Sequence, residues 1–429
     1  MNLRLGFLLF LIVAIPASAA DTWPQWRGPE GTGVAKAAGL PIIWNESQNL
    51  LWKCPLPAWG TSTPAIWKDA IFLTTQSDDR LLLLRIDAKQ GTIVWEREVG
   101  RAKEPREAPK RSTQKFHNLH NLASPSPVTD GKNVVCHFGN GELACFDFEG
   151  KEIWKRNLQT DYGPYSIWWG HANSPVIHQG LAISVCMQDS LADMEQKPVE
   201  SYVVAHDLRD GHVKWKTPRM TGASAEQCDS YTTPLLISAG APQLIVMGGN
   251  QLDAYDPATG KQKWALPGLV GGRTVTGPTF GNDTLYTTRG MRGPLVAVPL
   301  EGPAKRERDD ITWSASEGTP DSCSPVLWSE WLYTVSDDGI ARCFDARTGH
   351  LQFKERLKGN YKASPVACEG RIFFLNTSGL CTVITATNRF ERLAENQLSD
   401  ETIASPALVD SRIYFRGKGH LWCVGVKGK

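Results

Sequence analysis

Seven short stretches hold most of the side chains in this 429-residue chain that could do chemistry: "FHNLHN" (116–121), "YGPYSIWWGHAN" (162–173), "SAEQCDSYT" (224–232), "GGRTVTG" (271–277), "EGTPDSC" (317–323), "GNYKAS" (359–364) and "SDETIAS" (399–405). They are rich in polar and aromatic groups. His117, His120, Trp168, Trp169, His171, Arg273 and Tyr361 form the candidate ligand-binding set. The adjacent indoles of Trp168 and Trp169 suit stacking on a sugar or a planar ligand, or capping a loop. Asp229 and Asp321 are the catalytic candidates. Paired with Glu226 and Glu317 respectively, they supply the two carboxylates that acid/base cleavage of a glycosidic bond needs, although loop carboxylates are usually just solvated. No GxSxG nucleophile motif occurs, and no CxxC pair or His-rich run has zinc-like spacing, so no metal site is expected.

The elements that must position these groups repeat. "AYDPATGKQKWAL" (254–266) shares its outline with "RIDAKQGTIVW" (85–95), "AHDLRDGHVKW" (205–215) and "CFDARTGHLQF" (343–353), and "CFDFEGKEIW" (145–154) is one residue shorter. Asp stands third, Gly seventh and a large ring last. Upstream of each copy, a Pro-led step opens a short apolar run, at Pro64, Pro127, Pro175, Pro234, Pro278, Pro325, Pro365 and Pro406. The spacings run from 40 to 63 residues. Each unit reads as four short β-branched and aromatic runs separated by turns, with no helical periodicity. Four antiparallel strands repeated eight times predict an all-β, eight-bladed propeller. The Asp can bond nearby N–H groups of a tight turn, and Gly accepts a positive φ there. The rings of Trp95, Trp154, Trp215, Trp264 and Phe353 are expected to fill the wedge between neighbouring sheets, with a small first residue (Ala or Cys) leaving them a slot. Copies five ("VAVPLEGPAKRERDDITW", 296–313) and seven ("VITATNRFERLAEN", 383–396) depart most from the pattern.

The last copy stops after its third run, and Trp52 in "NLLWKCPLP" (49–57) is placed like the other strand-ending rings. The N-terminal segment is therefore expected to supply the missing strand and close the ring, which removes open sheet edges. Residues 1–20 read as a secretory signal peptide, with one cation, an apolar core and Ala17-Ser18-Ala19 before the cleavage point. Residues 21–48 would be a strap across one face, and residues 49–429 the propeller. The apolar run is too short for a membrane anchor, so an exported, monomeric protein of the periplasm or the extracellular space is expected.

Without Arg4 the 46 basic residues fall to 45, matching the 45 acidic ones. A neutral chain lacks the basic footprint of a nucleic-acid binder. The charged stretch 102–111 is mixed in sign and reads as a loop. Ten cysteines in an exported chain raise disulfides, yet Cys145, Cys343 and Cys423 take a slot where other copies hold Ala. Such thiols read as small buried hydrophobes, leaving room for one or two bridges at most.

By its Ala-x-Asp-x-x-x-Gly-x-x-x-Trp phrases, complete at 254–264 and 205–215, the chain resembles the eight-bladed propellers with quinoprotein-type repeats, whose phrase is a tryptophan-docking motif. That family includes pyrroloquinoline-quinone (PQQ) dehydrogenases and non-catalytic propellers similar to the outer-membrane assembly lipoprotein BamB. The dehydrogenase branch implies an acidic o-quinone held by stacking and by Ca²⁺, with an Asp as base. This sequence has neither the adjacent Cys-Cys pair of many alcohol-oxidising members nor a CxxCH haem site. It also lacks the lipid-anchoring Cys of the assembly branch. The favoured expectation is a scaffold without cofactor that binds a protein or glycan partner through its loop-rich face. A PQQ- and Ca²⁺-dependent oxidoreductase is the alternative, and a polysaccharide-acting enzyme the second alternative.

Overall fold

The computed structural model describes residues 22–102, 117–188, 200–290 and 293–426. The signal-like segment and most of the 102–111 stretch lie outside them. Eight antiparallel sheets follow one another along the chain, and all but the last run from innermost to outermost strand in sequence order. Blade four is typical, running Leu235–Ile237, Gln243–Gly248, Gln251–Tyr255 and Gln262–Leu266. The innermost strand begins directly after the proline of each unit, which removes no ladder bond there because proline's missing N–H precedes the paired residues. In the last blade the strand Leu50–Pro55 pairs antiparallel with His420–Gly425, and Trp52 stands opposite Cys423. That sheet is thus assembled from both ends of the described chain.

The recurring phrase builds the contact between blades. In blade four, Asp256 Oδ1 accepts the N–H groups of Ala258 and Thr259, both at 2.9 Å. Gly260 turns the chain at φ 71°. Its bare face receives the indole of the preceding blade: a methyl placed on Gly260 would lie 2.4 Å from the Trp215 ring. Trp215 Nε1 then donates to the carbonyl of Pro257, the residue after the turn Asp. Trp52, Trp95, Trp154 and Trp313 repeat this bond to Ala88, Phe148, Leu208 and Ala346. The small first residue has its own role, since Ala254 and Ala205 stand opposite Trp264 and Trp215 across the ladder. So one ring fills the gap between sheets and satisfies its only polar atom on the next blade. Burying such a ring contributes on the order of 3–5 kcal/mol relative to Ala.

The two irregular copies replace this contact. Trp264 has no following Asp-x-x-x-Gly turn to meet, and its Nε1 donates to Gln243 Oε1 of its own blade instead. Arg306, from the blade-five insertion, lies 3.7 Å over the Trp264 ring and donates to the Leu300 carbonyl, taking the place of an indole. In blade seven, Ala394 stands opposite Val383 where other blades pair a ring with a small residue, and Phe390 covers Phe353 at 5.6 Å. All ten cysteines are buried free thiols, so the small-hydrophobe reading applies to each of them.

The first part of the strap enters the ring. Thr22–Trp23 adds a fifth strand inside blade one, pairing with Ala65–Trp67. The chain then turns beneath the axis and leaves along blade seven, where Val34 bridges Ala367. Ala38 donates to the Asp410 carbonyl at the turn that follows blade eight's innermost strand. Trp44 finally buries against Phe373 and Phe415. Residues 22–37 therefore plug the end of the axial channel opposite the prolines.

Candidate functional site

Counting back from each proline gives the geometry of the open end. One residue before it stand Thr63, Ser126, Ser174, Thr233, Gly277, Ser324, Ser364 and Ser405. These hydroxyls tie the blades into a belt. The N–H of Thr63 donates to Ser126 Oγ, that of Ser126 to Ser174 Oγ, and that of Ser174 to Thr233 Oγ1, at 2.9 to 3.1 Å. The belt resumes from Gly277 through Ser324 and Ser364 to Ser405, at 2.9 Å each. Gly277 interrupts it for a steric reason. A methyl there would stand 3.2 Å from the Trp26 ring, which the strap inserts at this level.

Three residues before the prolines come Thr61, Ser124, Ala172 and Tyr231 from the first four blades, and Val275, Ser322, Lys362 and Ile403 from the rest. All of them line one funnel. Its outer chamber, about 240 Å³, is also walled by His117, Leu119, His120, Trp169, Arg273 and Asp321. Its inner chamber, about 120 Å³, ends on Trp26. The funnel is blind, open on the loop-rich face and floored by the strap.

The outer wall is held by a chain of polar contacts. Arg273 donates to Glu226 Oε1 and to Asp321 Oδ2, both at 3.1 Å. Glu226 Oε1 also accepts Trp169 Nε1 at 3.2 Å, which fixes the indole. The Trp169 carbonyl takes the His117 N–H at 3.2 Å and pairs with His120 Nε2 at 2.8 Å. Burial, with Lys362 and Arg273 facing it, holds His117 below its ordinary pKa. Lys362 pairs with Asp337 at 2.5 Å and with Ser322 Oγ at 3.0 Å. The funnel wall therefore carries an aromatic side tied to a triad of Arg273 with Glu226 and Asp321, and a separate Lys362–Asp337 pair.

Of the candidates read from sequence, His117, His120, Trp169, Arg273 and Asp321 meet at this funnel. The others go elsewhere. His171 is buried, its ring stacked on Tyr165 at 4.5 Å and its Nε2 directed to the Val185 carbonyl. Tyr361 is fully buried between blades. Both stand four residues before a proline, and there their rings pack into the fold, whereas Asp321 at the same count from Pro325 reaches the funnel. Asp229 is fully buried, and its Oδ2 accepts the Trp168 N–H at 2.7 Å and the Tyr231 hydroxyl at 3.2 Å. It positions the wall from behind. Trp168 and Trp169 meet edge-on at 60°, so only Trp169 faces the cavity and no flat two-ring platform forms. Tyr231, Ser322 and Lys362 escaped the sequence reading, although the fixed count from each proline was available to find them.

The donor set bears on the quinone alternative. A Ca²⁺ ion takes six to eight oxygen ligands, and an acidic quinone needs cations not already committed. Among the described residues no three His, Cys, Asp or Glu side chains converge as a metal site. Arg273 and Lys362 are each paired with carboxylates of the wall itself. The cations of the funnel wall are thus already engaged with its own carboxylates.

Fold and funnel together define an eight-bladed propeller of quinoprotein-type repeats. The family model described as outer membrane protein assembly factor BamB matches residues 34–192 and 124–355, and the chain belongs to this family. In structure it is similar to BamB from Moraxella catarrhalis, with TM-score 0.56 and 14% identity over 89% of this chain and 98% of that one. It is also similar to the quinohemoprotein alcohol dehydrogenase from Comamonas testosteroni, with TM-score 0.69 and 12% identity over 96% and 82%. A europium-containing methanol dehydrogenase matches with TM-score 0.64 and 12% identity over 94% and 90%. At such identities the likeness is one of fold. No curated protein matches the sequence.

Proposed function

We propose that the chain is an exported scaffold that binds a protein or glycan partner with the loop-rich face around the funnel mouth. The observation that carries this reading is the state of the mouth carboxylates. Asp321 and Glu226 share one guanidinium, and Asp229 is spent on a backbone N–H and a phenol. An acid/base pair needs groups free to exchange protons with a substrate, and these groups instead hold the wall in shape. The same face offers recognition chemistry. Trp169 and Leu119 line the mouth, and Met220 and Val270 stand more than half exposed on loops that leave the outer strands of blades three and four. Aromatic and flexible apolar anchors within a polar rim suit a binding surface. An envelope location agrees with the family.

The test is crosslinking in envelope extracts. The wild-type chain should capture a defined protein or glycan partner, and Trp169→Ala with Trp168→Ala should lose it while remaining folded. Dye-linked oxidation of alcohols or aldoses after reconstitution with PQQ and Ca²⁺, abolished by Asp229→Asn, would replace the scaffold reading with the oxidoreductase one.

A further inference from the structure

The belt around the inner chamber leaves chemistry unused. Ser126, Ser174, Thr233, Ser364 and Ser405 are each more than nine-tenths buried and line that chamber. Each accepts one backbone N–H from the neighbouring blade. A hydroxyl carries one donor as well as its acceptor lone pairs. In all five the oxygen donates to no described residue, so five O–H donors from different blades are left without a protein acceptor around one small space. A buried donor without an acceptor is costly, and a ring of them selects for a ligand that accepts and does not donate.

A second observation gives the sign of that ligand. Arg27, the strap residue after the floor residue Trp26, is fully buried. Its Nη2 donates to the carbonyls of Thr32 and of Pro325, the residue following belt member Ser324. Its Nε and Nη1 have no hydrogen-bond partner. Among the described residues no carboxylate pairs with it, and the neighbouring Cys323 thiol is kept neutral by its own burial. Arg27, its guanidinium 5.6 Å from the Trp26 ring, thus brings a positive charge behind the residue on which the chamber ends. Such a charge is expensive to bury without a counter-charge.

We propose that the inner chamber is a binding site for a compact monoanion, held by the hydroxyl belt and the field of Arg27. The class comprises a free halide and a carboxylate, the latter either free or ending a longer molecule seated in the outer chamber. About 120 Å³ accommodates either one. Near the mouth Lys362 balances Asp337 and Arg273 balances one of Asp321 and Glu226, so one net negative charge remains at the outer chamber, away from the belt. The site stands apart from the scaffold reading, since it needs only the belt and the plug.

Crystals soaked in bromide and collected at the bromine edge test it directly, with a parallel soak in acetate. In solution, the thermal midpoint is followed against bromide or acetate at constant ionic strength, with bulky MES as the balancing anion. The expected results are an anomalous peak inside the belt and a midpoint that rises with bromide and then saturates. Acetate density in the belt would show that the site also takes carboxylates, whereas bromide alone would make it a halide site. Arg27→Met should weaken the apparent affinity at least tenfold, as should Ser174→Ala, while Ser174→Thr should retain it. The variants test the donors, and the wild-type soak decides the matter even if they do not fold. Ordered water alone in the belt at molar bromide, a cation there, or an equal midpoint in MES would each overturn the proposal.

Discussion

The rim and the axis of this propeller obey opposite rules. At the rim, five indoles make one and the same bond, each to the carbonyl after a turn aspartate on the next blade. At the axis, three residues before the prolines, the blades contribute Thr, Ser, Ala, Tyr, Val, Ser, Lys and Ile. The rim repeats because every pair of sheets faces the same wedge and needs the same filling. The funnel wall varies because its side chains meet an open space, where packing dictates nothing and a ligand can dictate much. The belt lies between the two in character, a repeated hydroxyl broken once, at Gly277, to admit Trp26. In such a fold, sameness marks architecture and difference marks the surface available for function.

That contrast can be broken most forcefully at the rim. Trp154→Ala should lower unfolding stability by about 3–5 kcal/mol, because it opens a cavity between blades two and three and orphans the Leu208 carbonyl. Urea unfolding monitored by fluorescence measures it. If the loss stays under about 1 kcal/mol, the rings are not the mortar between sheets.

Next in size is an acid effect between the same blades. Burial holds His137 and His206 down to about 4, against an ordinary value of 6.5. Between those values the unfolded chain binds more protons than the folded one. Stability should therefore be full above pH 6.5 and fall as pH drops toward 4, by on the order of 3 kcal/mol per imidazole. Urea midpoints across this range should show the slope, and His137→Asn with His206→Asn should reduce it, leaving the share of the equally buried His171.

A smaller rim effect is expected at a turn. Gly260→Ala adds a methyl against Trp215 at positive φ and should cost about 2 kcal/mol. Gly240→Ala, also at positive φ but with nothing within 4 Å of the added carbon, serves as its control and isolates the packing part. The smallest stability change belongs to the mouth. Arg273→Ala removes two partly exposed ion pairs and should shift stability by no more than about 1 kcal/mol. Its effect should instead appear in partner capture, through a loosened Trp169.

The same contrast governs how much could be read from the residues alone. The Asp-x-x-x-Gly phrases and Pro-led steps reveal the blades because each must solve the same packing problem. Trp52 shows the origin of the last blade's outer strand in the same way. The strap has no sister copies, so nothing in "WPQWRGPEGTG" announces that Trp26 floors a channel and Arg27 is buried behind it. His171 and Tyr361 resembled funnel residues because they lie among polar neighbours. Each adjoins a funnel-lining residue, Ala172 and Lys362, but its own ring is buried, and the count from the proline does not separate them from Asp321, which lines the funnel at the same count. Arg306 looked like part of a charged insertion, yet its planar guanidinium can cover a ring and donate as an indole does.

The measurement that addresses the division between rim and axis most directly uses a photoreactive amino acid, placed at Leu119 in the funnel mouth or at Val213 on an outer strand. Both positions are exposed, at 37% and 42%, so access alone does not distinguish them. Irradiation in the native envelope should yield a discrete crosslinked species from position 119 and none from position 213. A discrete species from 213 with none from 119 would place recognition on the blade edges and contradict the account.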